Sequence, residues 1–165
     1  MQQSASPTPS KLSLWIGLTR PKTLFSGLSS VLVAIFYAAS LGAIDVLRTL
    51  LLVVVAVAAQ IASNIANDLI DHRKGADTDE RKGPLRPLSR GLISEREVRL
   101  ALYLSLAVLL TSGLWLIALS SWWLLLVGLA VVLGVFAYSG GPYPLSYHGW
   151  GDAAVLVFFG WVPTV

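Results

Sequence analysis

Long apolar blocks separated by short polar breaks set the plan of this chain. Thr23 to Ala43 is long enough to cross a bilayer as a helix, and Leu47 to Ala66 is the return crossing, since about 20 helical residues span the hydrocarbon core. After a polar stretch, Val98 to Leu119 and Trp122 to Tyr138 form a second pair joined by Ser120-Ser121. Asp152 to Val165 opens a further apolar segment of fourteen residues, too short to span without a continuation. The pattern predicts an all-α, polytopic transmembrane helix bundle that breaks off after about five segments. The expectation is therefore the front part of a longer membrane protein, with docking on a partner as the weaker reading.

Ahead of the first crossing, Lys11 to Lys22 sets Leu12, Trp15, Ile16 and Leu18 among Lys11, Arg20 and Lys22. This mild amphipathicity predicts a short helix lying at the membrane interface. Residues 1–10 are polar, rich in Pro and Ser, and uncharged. They are expected to be a disordered tail, leaving 11–165 as the N-terminal part of the membrane domain. The tail lacks the basic start of a secretory signal.

Composition agrees with the pattern: 55% of residues are hydrophobic and 13% charged, and the mean hydropathy is +0.71. These values describe an integral membrane protein and not a soluble domain. The net charge of +3 is modest and its carriers are clustered, so no nucleic-acid partner is expected. Arg73, Lys74, Arg81, Lys82, Arg86, Arg90, Arg96 and Arg99 lie between the second and third crossings, and Lys11, Arg20 and Lys22 precede the first. The opposite loops hold no basic residue, Arg48 lying just inside the second crossing. Because loops retaining Lys and Arg stay cytoplasmic, the N-terminus and the polar stretch after Ala66 are expected on the cytoplasmic side. The inner or plasma membrane of a bacterium is the expected location. The absence of cysteine excludes disulfides and thiolate metal sites, and two histidines are too few for a His-rich centre.

The informative polar residues continue the second crossing. On a helix at about 100° per residue, with Gln60 at zero, Asn64 falls near about 40°, Asn67 near about 340°, Asp68 near about 80° and Asp71 near about 20°. All five share one sector roughly 100° wide, a stripe running from within the membrane to its edge. Intramembrane polar groups face the bundle interior or a cavity. Asp68 and Asp71 are neighbours on that face, and their mutual repulsion would be relieved by Mg²⁺, which prefers oxygen ligands and shares them with phosphate. Lys74, Arg81, Lys82 and Arg86 follow, suited to phosphate charge. A solvated acidic loop, or carboxylates that simply pair with these bases, remains the competing reading. Gly75, Gly83-Pro84 and Pro87 break the helix into a shaped loop reaching Gly91, and Ser94 with Glu97 reads as a capping box opening the next helix.

At these residues the chain resembles a known family. Asn67-Asp68-Leu69-Ile70-Asp71 resembles the first aspartate-rich motif of the UbiA superfamily of membrane prenyltransferases. Arg20-Pro21-Lys22-Thr23-Leu24, Gly75-Ala76-Asp77-Thr78-Asp79, Gly83-Pro84, Gly91-Leu92-Ile93-Ser94 and the Tyr138 to Leu145 block are similar to the 1,4-dihydroxy-2-naphthoate polyprenyltransferases within it. Gly75 stands where many superfamily members carry a further aspartate, a spacing that resembles the naphthoate group more than the 4-hydroxybenzoate group. The resemblance implies Mg²⁺-dependent transfer of a polyprenyl group from polyprenyl diphosphate to dihydroxynaphthoate, in menaquinone synthesis. It implies catalytic roles for Asn67, Asp68 and Asp71, and metal ligation by Asp68, Asp71 and Asp77. Substrate contacts are implied for Asn64, Lys22, Arg20, Lys74, Arg81 and Arg86, with Tyr138 or Tyr143 steadying an allylic cation. The family's second aspartate-rich motif has no counterpart in these residues, so the resemblance implies half a metal site and a fragment inactive alone. The alternatives are another aromatic prenyltransferase, such as one acting on 4-hydroxybenzoate, or a non-catalytic cation-binding membrane fragment.

Overall fold

A computed structural model of the chain describes residues 9–75 and 86–161. Helix α1 spans Lys11–Thr19, α2 Pro21–Ser40, α3 Val46–Arg73, α4 Glu95–Leu119 and α5 Leu124–Ala137. A 3-10 turn at Leu145–Tyr147 leads to α6, Gly151–Val155, which widens into a π-helical segment over Leu156–Trp161. No strand occurs among the described residues. The all-helical expectation and the order of the apolar segments hold, and most of the expected tail lies outside the described residues.

Local chemistry explains the helix starts. The Ser10 hydroxyl accepts from the Ser13 amide at 3.2 Å, and the Asp45 carboxylate accepts from the Arg48 amide at 2.8 Å, satisfying donors that the first turn cannot pair internally. Ser94 and Glu97 form the expected capping box at α4, each side chain bonding the other's backbone amide. Between α1 and α2 the chain turns on one residue. Arg20 sits at φ 50°, in the left-handed region, with Pro21 directly after it as the first residue of α2. Pro21 disfavours the right-handed helical region for the residue before it, so the helix breaks there, and a left-handed arginine stores about 1–2 kcal/mol of strain.

Two helices, α3 and α4, are long and apolar enough to cross a membrane, and α1 with α2, bent by 45°, makes a third candidate. α5 is apolar but shorter than the expected crossing from Trp122 to Tyr138, because Ser121 to Trp123 form a tight turn whose carbonyls accept from amides three residues on. α3 is the central element, packing against α1, α2, α4 and α5. At 28 residues it is roughly 42 Å long. That exceeds a hydrocarbon core of about 30 Å, so one end must project beyond it.

The main buried cluster surrounds the C-terminal half of α3. Leu14 and Leu18 from α1, Ala62, Ile65, Ala66 and Leu69 from α3, Leu88 and Ile93 from the following connection, and Val98 and Leu102 from α4 meet there with Val135. Small side chains at 62 and 66 let neighbouring helices approach closely.

Candidate functional site

The polar stripe inferred from helical spacing exists: Gln60, Asn64, Asn67, Asp68 and Asp71 are all buried on α3. Its inner part is structural. Asn64 donates through its amide nitrogen to the Thr19 carbonyl at 2.8 Å and the Thr23 hydroxyl at 2.9 Å, fastening the α1–α2 corner to α3. Gln60 donates to the Asn64 side-chain oxygen at 3.4 Å.

The outer part is an ionic centre assembled from four segments. Asp68 is 2% exposed and receives the guanidinium of Arg20 from the strained corner. Arg86, 8% exposed, lies 3.3 Å from Asp68 Oδ1 through Nε and donates from Nη1 to Asp71 Oδ2 at 2.8 Å. One planar guanidinium thus bridges two adjacent carboxylates, a geometry lysine does not reproduce. The other oxygen of Asp71 accepts from the Tyr147 hydroxyl. Among the described residues, two carboxylates and two guanidiniums balance in charge. Without such pairing, ions this deeply buried would each cost several kcal/mol.

Other expected site residues are distributed around this centre. Lys74 donates to the Ser139 carbonyl at 2.8 Å and stands 5.1 Å above the Tyr147 ring, so it joins the end of α3 to the connection after α5. Lys22 is exposed. Tyr143 stacks on His148 with ring centroids 3.7 Å apart, and the Tyr138 hydroxyl lies beside Gly151. Asp77 and Arg81 lie outside the described residues. Tyr147 is the participant that sequence reasoning missed. It lies 76 residues from Asp71, and its one signal was a place in the Gly/Pro-rich connection that holds Tyr143.

The centre's donors are all oxygen. Besides the two carboxylates, the side-chain oxygen of Asn67 is buried with no hydrogen-bond partner among the described residues. An unmet buried acceptor costs about 1–3 kcal/mol, so this oxygen lies ready for a donor or a cation. Hard oxygen donors fit Mg²⁺, which commonly takes one or two carboxylates and completes its shell with water and phosphate oxygens. No cluster of three or more His, Cys, Asp or Glu suited to a metal occurs among the described residues. Asp68, Asp71 and Asn67 would hold a cation only in part, with the rest of its shell coming from elsewhere.

Beside the stripe, an apolar cavity of about 1010 Å³ runs between α2, α3, α4 and α5. Its wall reaches from Asp45 and Arg48 at the start of α3 to Ser63, the residue before Asn64, and includes Tyr138. From 45 to 63 the helix rises roughly 27 Å, close to the depth of the hydrocarbon core.

A helical bundle with such crossings and an ionic centre at one end of its central helix defines an integral membrane protein whose central helix carries both a polar site and, in its earlier turns, the wall of an apolar chamber. Residues 27–165 match the UbiA prenyltransferase family, and the chain belongs to that family. It is similar to the 1,4-dihydroxy-2-naphthoate octaprenyltransferase of Escherichia coli K12, with 37% identity over 160 residues, covering 93% of this chain and 52% of that protein. The Mycobacterium tuberculosis protein of the same name is 40% identical over 146 residues, covering 88% of this chain and 50% of its own length. The Bacillus subtilis protein of that name is 34% identical over 140 residues, covering 84% and 44%. The chain spans about half the length of the curated relatives it matches. No solved structure matches it.

Proposed function

We propose that the protein transfers a polyprenyl group from polyprenyl diphosphate to 1,4-dihydroxy-2-naphthoate, with the ionic centre at the end of α3 receiving the diphosphate. The observation that carries this reading is the pair of buried carboxylates, Asp68 and Asp71, on the same helix whose earlier turns, up to Ser63, line a chamber deep and apolar enough for a polyprenyl chain. The names of the similar proteins support the naphthoate acceptor.

In this reading the allylic C–O bond breaks with its electron pair leaving on the diphosphate. The acceptor's ring carbon forms the new C–C bond, and its carboxylate departs as carbon dioxide. Mg²⁺, when bound, supplies positive charge that neutralises the leaving diphosphate. Asp68, Asp71 and Asn67 would hold it. Arg20 and Arg86 already converge on these carboxylates, and as permanent cations with fork geometry they suit diphosphate oxygens. Tyr138, in the chamber wall, is proposed to steady the allylic cation. Asp77 and Arg81 are proposed to add a ligand and a phosphate contact from the loop after Gly75. Lys22 and Lys74 add positive charge at the same end. The abundance of basic residues there orients the centre to the cytoplasm of a bacterial cell, its donor arriving from the bilayer.

The test is full-length protein in membranes supplied with a polyprenyl diphosphate and dihydroxynaphthoate, with and without Mg²⁺. Asp68→Asn is expected to lower turnover by about a hundredfold or more, the scale of losing charge stabilisation at a reacting centre. Normal turnover by that variant would sink the assignment, and preference for 4-hydroxybenzoate in a competition assay would change the acceptor.

A further inference from the structure

Tyr147 lies in the connection between α5 and α6, and this connection is closed on itself before it touches α3. The Ser146 amide donates to the Tyr138 carbonyl at 2.9 Å, and the Trp150 amide donates to the Leu145 carbonyl at 3.1 Å. At its start the chain presses on its neighbours: a Cβ added at Gly140 would stand 2.6 Å from the Phe136 carbonyl oxygen and 3.2 Å from Ile70 Cδ1. Lys74 then holds both ends of the connection, through the Ser139 carbonyl and the Tyr147 ring. A loop so constrained presents the Tyr147 hydroxyl to Asp71 from a fixed direction, opposite in the carboxylate to the oxygen held by Arg86.

The two partners of Asp71 differ in charge, and that difference assigns them different fates. Arg86 neutralises the carboxylate and so competes with any cation arriving there. Tyr147 is a neutral donor and leaves the carboxylate its charge, so it need not depart when a cation binds. Carboxylates that ligate metals are themselves commonly held by an outer hydrogen bond, whose loss costs about 10–100-fold in metal affinity.

Resting on the diphosphate reading above, we propose that Tyr147 is a positioning residue that fixes the Asp71 carboxylate for a divalent cation, and that Lys74 seats the loop that delivers it. The connection after α5 is then a supporting wall of the site and not only a link between helices.

The experiment measures Mn²⁺ binding to full-length protein in detergent, with inorganic diphosphate present, from the electron paramagnetic resonance signal of free Mn²⁺. Tyr147→Phe keeps the ring beneath Lys74 and removes only the hydroxyl. It is expected to weaken Mn²⁺ binding by about tenfold with unchanged Tm, while Tyr103→Phe on the exposed face of α4 does neither. Loss of about threefold or more supports the proposal, and any smaller change overturns it. A merely structural tyrosine would leave the affinity alone, because the seated ring is retained. Asp71→Asn is measured alongside. If it weakens Mn²⁺ binding and Tyr147→Phe does not, this inference fails alone; if Asp71→Asn has no effect, the metal reading fails with it. Should Tyr147→Phe not fold, Lys74→Gln carries the test, with weaker Mn²⁺ binding expected and unchanged affinity overturning the proposal.

Discussion

The two halves of α3 are built on opposite principles. From Val46 to Ala59 the helix is apolar and largely half-buried or exposed, lining the chamber, and it shares only a small cluster of Ala58, Ala59 and Leu109 with its neighbours. From Gln60 to Asp71 it is polar on one face, yet nearly every residue is buried, and the main core gathers around it. In water the apolar half would be the one to hide. In a bilayer an apolar half can stay uncovered, because hydrocarbon there costs nothing, while the polar half needs protein around it because lipid cannot satisfy it. Stability and chemistry should therefore be concentrated at the same end.

Removing Arg86 tests this most severely. Arg86→Ala leaves Asp68 and Asp71 buried side by side with half their compensating charge, and about 3 kcal/mol or more of stability should go, read as a fall in Tm in detergent. Next comes a matched pair of truncations. Leu18→Ala, at a fully buried position in the polar-end core, should cost about 3 kcal/mol, whereas Leu50→Ala, 59% exposed in the apolar half, should cost under about 0.5 kcal/mol. Equal losses would refute the contrast between the halves. Gly140→Ala forces a methyl against the Phe136 carbonyl and Ile70, for about 1–3 kcal/mol, and should also lower Mn²⁺ affinity by moving the loop. The smallest effect is Ser94→Ala, which opens the capping box of α4 for about 1 kcal/mol and leaves metal binding untouched.

Much of this arrangement was legible in the chain before any coordinates. The stripe on α3 follows from helical period alone, because Gln60 to Asp71 belong to one element whose geometry is fixed. The α4 cap was legible for the same reason, its partners lying three residues apart. The order of the apolar segments was legible but not how many form crossings: among the described residues two helices are long enough, or three with the α1–α2 pair, and turns such as Ser121 to Trp123 shorten α5. Contacts across elements were not legible. That Asn64 fastens the Thr19–Thr23 corner, that Arg86 spans both carboxylates and that Tyr147 reaches Asp71 all depend on how loops fold back, and no periodicity records it. Lys74 and Arg86 were marked by charge, but charge could not reveal that one grips a backbone carbonyl and the other is buried. The proposed roles of Asp77 and Arg81 rest on the family resemblance.

The left-handed backbone at Arg20 sets two demands on a single codon. Glycine would relieve the φ of 50° but deliver no cation to Asp68; lysine would keep the charge and lose the fork; neither replacement answers both. The strain is therefore retained because the buried Asp68 needs the cation that the corner delivers. A laboratory search for thermostable variants that ignores activity should still keep arginine at 20, because relieving about 1–2 kcal/mol of strain does not offset the roughly 3 kcal/mol or more lost when Asp68 is left buried without that partner.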